Sequence, residues 1–536
     1  MAVSKLQIRA RLLSSITELM NPANRSAQSA MEVIDSLRDI EDREAILEIL
    51  AKELKKENPE ERCQIIFCLL HELADKNQTE TALLAELANP ALSDKIKSQI
   101  INVLRAFGNH LNYDDYLQYL QNPEEIIDAD TTRLLASAIL NPEAQIDFLD
   151  FINALPLREG KMLLDSLNND YDGDNLANIL APLIIAKPCS ELAFDAIKNI
   201  GESKSELGLR TLNYVLENVN DLKVKAHAQK SINMLKLSGI KEDNTDKFYA
   251  KILAKSPVYK CFTNLPDGHG NIGVIFSRKN DEELIQMFSV VINDIDGIVD
   301  CFGFNEISDS EFGRITSKFF ANDEIIEISP EFCKFLLINA EKTSRLMFDE
   351  MPYEYAAWRT ITFDIPYKEF DLTQNARKIG LNDFLLRQLY EKGYFEKWFF
   401  DKNELFKAFM EKFNENPEKY FKNPLPADEI FTPELKKTID HRLKLMSYLL
   451  RAEGHDIDAD MLFSLSQNAE YMTKFYENII KKSIYEHFLN KKEQFYSQSA
   501  AASIFTKKRE EERKKIDINF VESILKKIEE NWVEHE

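Results

Sequence analysis

Apolar residues recur at helical spacing over most of the chain. In Leu207–Glu217, the residues Leu209, Leu212 and Leu216 fall three or four positions apart, and Val224, Ala228, Ile232 and Leu235 do the same in the next segment. Each segment carries one apolar stripe among polar residues, the pattern of a helix with one buried face. From Leu6 to about Leu155 the spacing predicts helices near 6–19, 24–38, 42–56, 59–74, 78–88, 91–107, 113–121, 130–140 and 142–155. Asn-Pro steps at 21–22, 58–59, 89–90, 122–123 and 141–142 punctuate them. Asn ends or caps one helix, and Pro fits the first turn of the next.

Two of these segments finish alike. One ends Ala196-Ile197-Lys198-Asn199-Ile200-Gly201, another Met234-Leu235-Lys236-Leu237-Ser238-Gly239, and upstream Val103-Leu104-Arg105-Ala106-Phe107-Gly108 has the same shape. The glycines suit the left-handed position just past a helix C-terminus. Gly201 and Gly239 are about 38 residues apart, the length of two antiparallel four-turn helices with short loops. The stretch from about Leu6 to Gly239 resembles the HEAT and armadillo-like α-solenoids. That resemblance implies an α-α superhelix in which each hairpin buries its surface on the next, and a scaffold that binds proteins through many weak contacts.

The period changes after Lys241–Asp246, a polar linker. Strand patterns follow at Val258–Thr263, Ile272–Ser277, Leu284–Ile292 and Ile298–Gly303, joined by loops rich in Asp and Gly. They read as an antiparallel meander. Ser308–Glu311 is a capping box ahead of a helix to about Phe320, a short strand follows at Glu324–Ile328, and Ser329-Pro330 opens another helix toward Phe348. From about Glu369 helical spacing returns, rich in aromatics from Tyr390 to Phe413, which at this density form a helical core. Ser497–Ser503 reads as a hinge, Lys507–Lys515 as an exposed mixed-charge run, and Phe520–Trp532 as a last amphipathic helix. The expected fold is mainly α. It comprises a HEAT-like solenoid over 1–240, an α+β module with an antiparallel sheet over 248–365, an aromatic-rich helical domain over 369–496 and a charged helix or tail over 504–536.

Charge narrows the partners. The formal net charge is −23 over 536 residues, about half of it in the first 240. Nucleic acid along the solenoid is disfavoured, because phosphates need a basic lining. Basic or amphipathic segments of partner proteins fit better. No apolar run approaches the ~18 residues that a membrane span needs. The six cysteines are scattered without a CxxC pair, which points to free thiols and a cytoplasmic setting. Lys5–Met20 reads as a first capping helix rather than a targeting segment.

Candidate chemistry collects in the α+β module. In a four-strand meander the first and third connections lie at the same end of the sheet. They hold Asp267 and His269, then Asp294 and Asp296, four groups that one rim would bring together. A divalent metal, a small ligand or a metal-dependent hydrolase would use such a set. Both loops also contain Asp-Gly, a favoured turn pair, so turn chemistry alone accounts for the same residues. Cys261 or Cys301 with His269 lacks an oxyanion loop. His441 sits in a helix and His455 in the turn that follows it, near Asp456, Asp458 and Asp460, a bunching typical of an inter-helix turn, and Asp170, Asp172 and Asp174 form half a calcium loop whose twelfth position is Ala181. No catalytic residue is assigned. The sequence reads as a protein-binding scaffold without an assigned cofactor, with a metal or small-ligand site on the rim as the alternative.

Overall fold

The computed structural model describes residues 5–21, 32–40, 42–56, 60–74, 76–106, 113–123, 125, 134–138, 141–171, 173–241, 247–321, 323–400, 403–421, 423, 425–502 and 518–533. The expected helices 24–38 and 130–140, Phe107-Gly108, most of the 241–246 linker, Asp172 and the charged run 507–515 fall partly or wholly outside them. Contacts divide the chain into one unit of residues 1–151 with 306–312, and a second of 152–305 with 313–536.

The first unit contains α1 (Lys5–Leu19), α2 (Arg43–Leu54), α3 (Glu60–Leu73), α4 (Lys76–Leu87), α5 (Asp94–Ala106) and α6 (Tyr113–Leu117). Helix α1 packs on α2 and α3, α2 also on α3 and α4, and α4 on α5. The stripes predicted from the sequence supply the core, with Leu12, Ile46, Leu50, Ile66, Leu69 and Leu104 buried. Glu53 is buried among them beside Lys56 (2.6 Å), Arg62 (3.6 Å) and Arg9 (3.7 Å). Helix α7 (Pro142–Ala154) starts at an Asn-Pro step, where the Asn141 side chain accepts the Glu143 N–H at 2.8 Å.

The second unit opens with α8 (Leu157–Asp170), α9 (Gly173–Ala186), α10 (Glu191–Glu202), α11 (Glu206–Asn218) and α12 (Leu222–Leu237). Helices α8, α10 and α12 lie side by side as one layer, α9 and α11 as the next, and α9–α10 and α11–α12 pair as hairpins. Ser190, Ser205 and Asp221 cap the starts of α10, α11 and α12. Asp174, from the half calcium loop, accepts Ser205 Oγ at 2.6 Å and the Leu207 N–H at 3.2 Å, so it serves the same turn. Helix α9 is buried from Leu176 to Ala186. It tolerates Pro182 despite the lost hydrogen bond because its neighbours α8, α10 and α11 pack around it. One expectation fails here. Gly239 has φ +85°, as a left-handed helix end requires, but Gly201 lies inside α10. A Cβ there would stand 2.6 Å from Cβ and Oγ of Ser231 on α12, so this glycine allows close helix approach. The left-handed residue after α10 is Lys204.

After α13 (Lys247–Leu253) come β1 (Val258–Thr263), β2 (Asn271–Lys279), β3 (Ile285–Asn293), β4 (Gly297–Ile307), α14 (Asp309–Phe320), β5 (Ile326–Glu327), α15 (Pro330–Met347) and α16 (Tyr353–Trp358). The sheet order is β4-β3-β2-β1-β5: the expected meander plus a short edge strand antiparallel to β1. Asn271 pairs with Asn293 and Lys279 with Ile285 in the β2–β3 register. The capping box holds, with Ser308 N–H on Glu311 at 3.0 Å. Helix α15 contacts β1, β2 and β3. A Cβ on Gly273 would meet the rings of Phe319 and Phe320. Alternation along the strand therefore puts α14 on the opposite face from α15.

Glu341 on α15 fastens this module to the helical layers. It accepts Tyr355 Oη at 2.6 Å, Arg359 Nη1 at 2.9 Å and, from α11, Tyr214 Oη at 3.0 Å. Burial pushes both tyrosine hydroxyls up, so they stay protonated donors.

Residues 365–382 are not helical, contrary to the expected helix from Glu369. Pro366 and Gly380 interrupt the stretch, and Arg377 N–H and Ile379 N–H are held by Asp460 and Ser464 side chains at 3.0 and 2.8 Å. Helices follow as α17 (Asp383–Glu391), α18 (Glu404–Glu415), α19 (Pro417–Phe421), α20 (Ala427–Ile430), α21 (Pro433–Ala452), α22 (Asp456–Ser466), α23 (Ala469–Ala502) and α24 (Ile518–Val533). Phe395, Trp398, Phe400, Phe406, Phe409 and Phe413 are buried in one core, as their density predicts. Helix α23 continues through Ser497–Ala502, where the sequence suggests a hinge. Among the described residues no helix is long and apolar enough to cross a membrane.

Candidate functional site

The two loops of the sheet rim meet, but they meet on an arginine. Arg442 on α21 is buried, and its guanidinium fork takes Asp294 through Nε (2.6 Å to Oδ2) and Nη2 (2.7 Å to Oδ1). The same group donates to the carbonyls of Gly268 and, at 3.1 Å, His269. One guanidinium thus joins the β1–β2 loop to the β3–β4 loop.

Each rim residue expected from the sequence has a distinct place. Asp267 closes its own loop: Oδ1 accepts the N–H groups of His269 and Asn271 at 2.9 Å each, and Oδ2 accepts Asn271 Nδ2 at 3.0 Å. The His269 ring packs edge-on to Phe399, centroids 5.7 Å apart. Asp294 is held by Arg442. Asp296 is exposed, with its N–H on Asn293 Oδ1 at 3.1 Å. Among the described residues no group of three or more His, Cys, Asp or Glu stands where it would hold a metal ion. The loops are also wedged from the other side. Trp398 Nε1 donates to the Pro266 carbonyl at 3.1 Å, and Gly268 N–H to the Lys397 carbonyl at 3.0 Å.

Behind this rim lies a cavity of about 160 Å³. Ile272 and Ile292 line it from the strand ends, Leu372 from the non-helical stretch, and His441 and Leu445 from α21. Helix α15 contributes Leu336, Asn339, Ala340 and Thr343, spaced so that one helical face looks in. Partial desolvation by its neighbours holds the His441 imidazole below its usual pKa, against the pull of Asp294 and Asp440, with Lys444 and Arg442 reinforcing the shift. His441 is therefore neutral at pH 7.

The other sequence candidates are committed elsewhere. Asp458 accepts Lys392 (2.7 Å) and Tyr394 Oη (2.6 Å), and Asp460 pairs with Arg451. His455 stands 4.0 Å from Glu324. Cys261 and Cys301 are buried, and burial pushes the Cys301 thiol well up, away from nucleophilic character. Arg442 and Asn339 were not singled out from the sequence. The available signal was a charged or amide residue on the buried stripe of a helix, next to Ile439 and Leu443 or to Leu336 and Ala340. No protein-family model, curated protein or solved structure matches the chain.

Proposed function

We propose that the chain is a protein-interaction scaffold that holds an amphipathic segment of a partner protein where α12 begins and α15 ends. The supporting observation is an exposed apolar patch. Leu222, Leu346, Met347 and Phe348 are 81, 78, 54 and 60 % exposed. Hydrogen bonds join the segments that carry them: Asn220 Nδ2 to the Arg345 carbonyl at 2.6 Å, and Asn220 N–H to Asp349 at 2.9 Å. Large side chains left in water on one junction mark a surface that another chain covers. Covering them would contribute about 1.5–3 kcal/mol for each side chain fully buried.

Charge gives the partner its second property. The protein is acidic overall, yet α12 carries Lys223, Lys225, Lys230 and Lys236 and no acid. Local charge outweighs distant charge within a Debye length of about 8–10 Å. The segment bound beside the patch is therefore apolar on one side and acidic toward α12. Basic segments suit the more acidic N-terminal surface.

The test uses full-length protein as bait in native lysate, beside a Leu222→Asp, Phe348→Asp variant whose circular dichroism matches the parent. The expected result is a partner retained by the parent and lost by the variant, with parental affinity falling as salt rises. An identical set of captured proteins for both, or none for either, overturns the proposal.

A further inference from the structure

The cavity behind the sheet rim has a chemistry of its own, independent of the scaffold reading. Its volume, about 160 Å³, is close to the roughly 150 Å³ of an engineered apolar cavity that takes up benzene. A ring compound of roughly six to ten non-hydrogen atoms matches that volume. Phe335, Leu336, Leu372 and Leu445 give it apolar walls.

Two polar side chains break those walls. Asn339 and His441 line the cavity, and neither side chain hydrogen-bonds to another described residue. Asn339 is half-buried and His441 is exposed, so both are open to water or to an occupant of the cavity. These two come from different helices, α15 and α21, and line the same space. An Asn amide offers an acceptor and two donors, and a neutral imidazole one of each.

Charge at the mouth is already balanced. Asp294 and Arg442 line the cavity but satisfy each other, and Arg442 also donates to the Gly268 and His269 carbonyls. An anion would have to displace Asp294, and a cation Arg442. Each exchange would leave a buried charge unpaired.

We propose that this cavity binds a small, uncharged, planar ring compound carrying a donor and an acceptor on adjacent atoms, its ring between Phe335 and the leucine walls and its amide-like edge on Asn339 and His441. The Asn339 amide pairs with such an edge through two parallel hydrogen bonds. Selection against plain hydrocarbons comes from the polar pair, and selection against ions from the Asp294–Arg442 balance.

2-Pyridone is the probe, titrated calorimetrically into the full chain, with benzene, benzoate and benzamidine as comparators. 2-Pyridone should bind one site per chain, at least tenfold tighter than any comparator. Asn339→Leu, close in shape and lacking the amide, should weaken 2-pyridone at least tenfold and leave benzene unchanged or tighter. In methyl-labelled protein, 2-pyridone should shift the Leu336, Leu372 and Leu445 resonances, which locates the site without any variant. No binding of 2-pyridone to folded protein overturns the proposal. So does binding that shifts other methyl groups, or binding that Asn339→Leu leaves unchanged.

Discussion

Arg442 and Asp294 are 148 positions apart in the chain and meet through two parallel hydrogen bonds of 2.6 and 2.7 Å. Removing one partner of such a pair leaves the other partly desolvated and alone. Arg442→Ala should lower stability by about 3–5 kcal/mol. Arg442→Lys should recover little, because an ammonium cannot reproduce the fork that also reaches two carbonyls. In urea unfolding, the Arg442→Met, Asp294→Leu double variant should lose less than the sum of its singles. Strictly additive losses would show that the two residues act separately.

Gly270 sits under this pair with φ +86°, and a Cβ there would lie 2.2 Å from Asp294 Oδ1. Gly270→Ala combines backbone strain with displacement of a paired carboxylate. It should cost about 1–3 kcal/mol, read as a lower thermal midpoint. The same change at Gly380, which has nothing within 4 Å of a Cβ and no positive φ, should be near neutral.

Helices α10 and α12 touch through Gly201 and Ser231. Gly201→Ala inserts a methyl where the nearest atoms are 2.6 Å away, which should destabilise by about 1–3 kcal/mol. Ser231→Gly in the same chain should restore most of that loss. Failure of this rescue in thermal unfolding would place the strain elsewhere.

Lys334 on α15 is an ammonium half-hidden in the second unit. It donates to Thr362 Oγ1 at 2.8 Å and to the Thr362 carbonyl at 3.1 Å, and lies over the Phe363 ring. Burial pulls its pKa down to about 8. Below pH 8 the amine is charged in both folded and unfolded chains, and the cost of burying that charge is fully present. As pH rises from about 8 toward the ordinary lysine value of about 10.4, the folded state releases a proton that the unfolded state keeps, so stability rises. Lys334→Met should be neutral or stabilising at pH 7, and wild type should gain up to about 3 kcal/mol on it between pH 8 and 10.4. A difference independent of pH would mean that the amine titrates normally.

The sequence carried the elements well where local rules govern them. Val258–Thr263 ends where its alternation ends, Ser308 and Glu311 cap each other, and Ser329-Pro330 starts α15. The meeting of the 267–269 and 294–296 loops was also legible, because strand alternation fixes which turns share an end. What occupies that end was not. Arg442 lies on a helix whose periodicity reads as ordinary core, and only tertiary packing brings it to Asp294. Gly201 misled for a related reason: a helix-end pattern and a helix-crossing pattern both call for glycine, and only the position of Ser231 separates them. Residues from about Glu369 to 382 kept enough apolar spacing to suggest a helix, while the Arg377 and Ile379 N–H groups go to Asp460 and Ser464.

The rim's dependence on Arg442 also sets an order on biosynthesis. Strands β1 to β4 leave the ribosome long before α21. At roughly 5–20 residues per second, the 172 positions from Gly270 to Arg442 take roughly 10–35 s to translate. During that interval the Asp294 carboxylate and the Gly268 carbonyl lack the guanidinium that holds them in the finished fold. The newborn sheet must outlast this wait with one end unfinished, and slow codons or a chaperone acting between those two points would decide how much of it does.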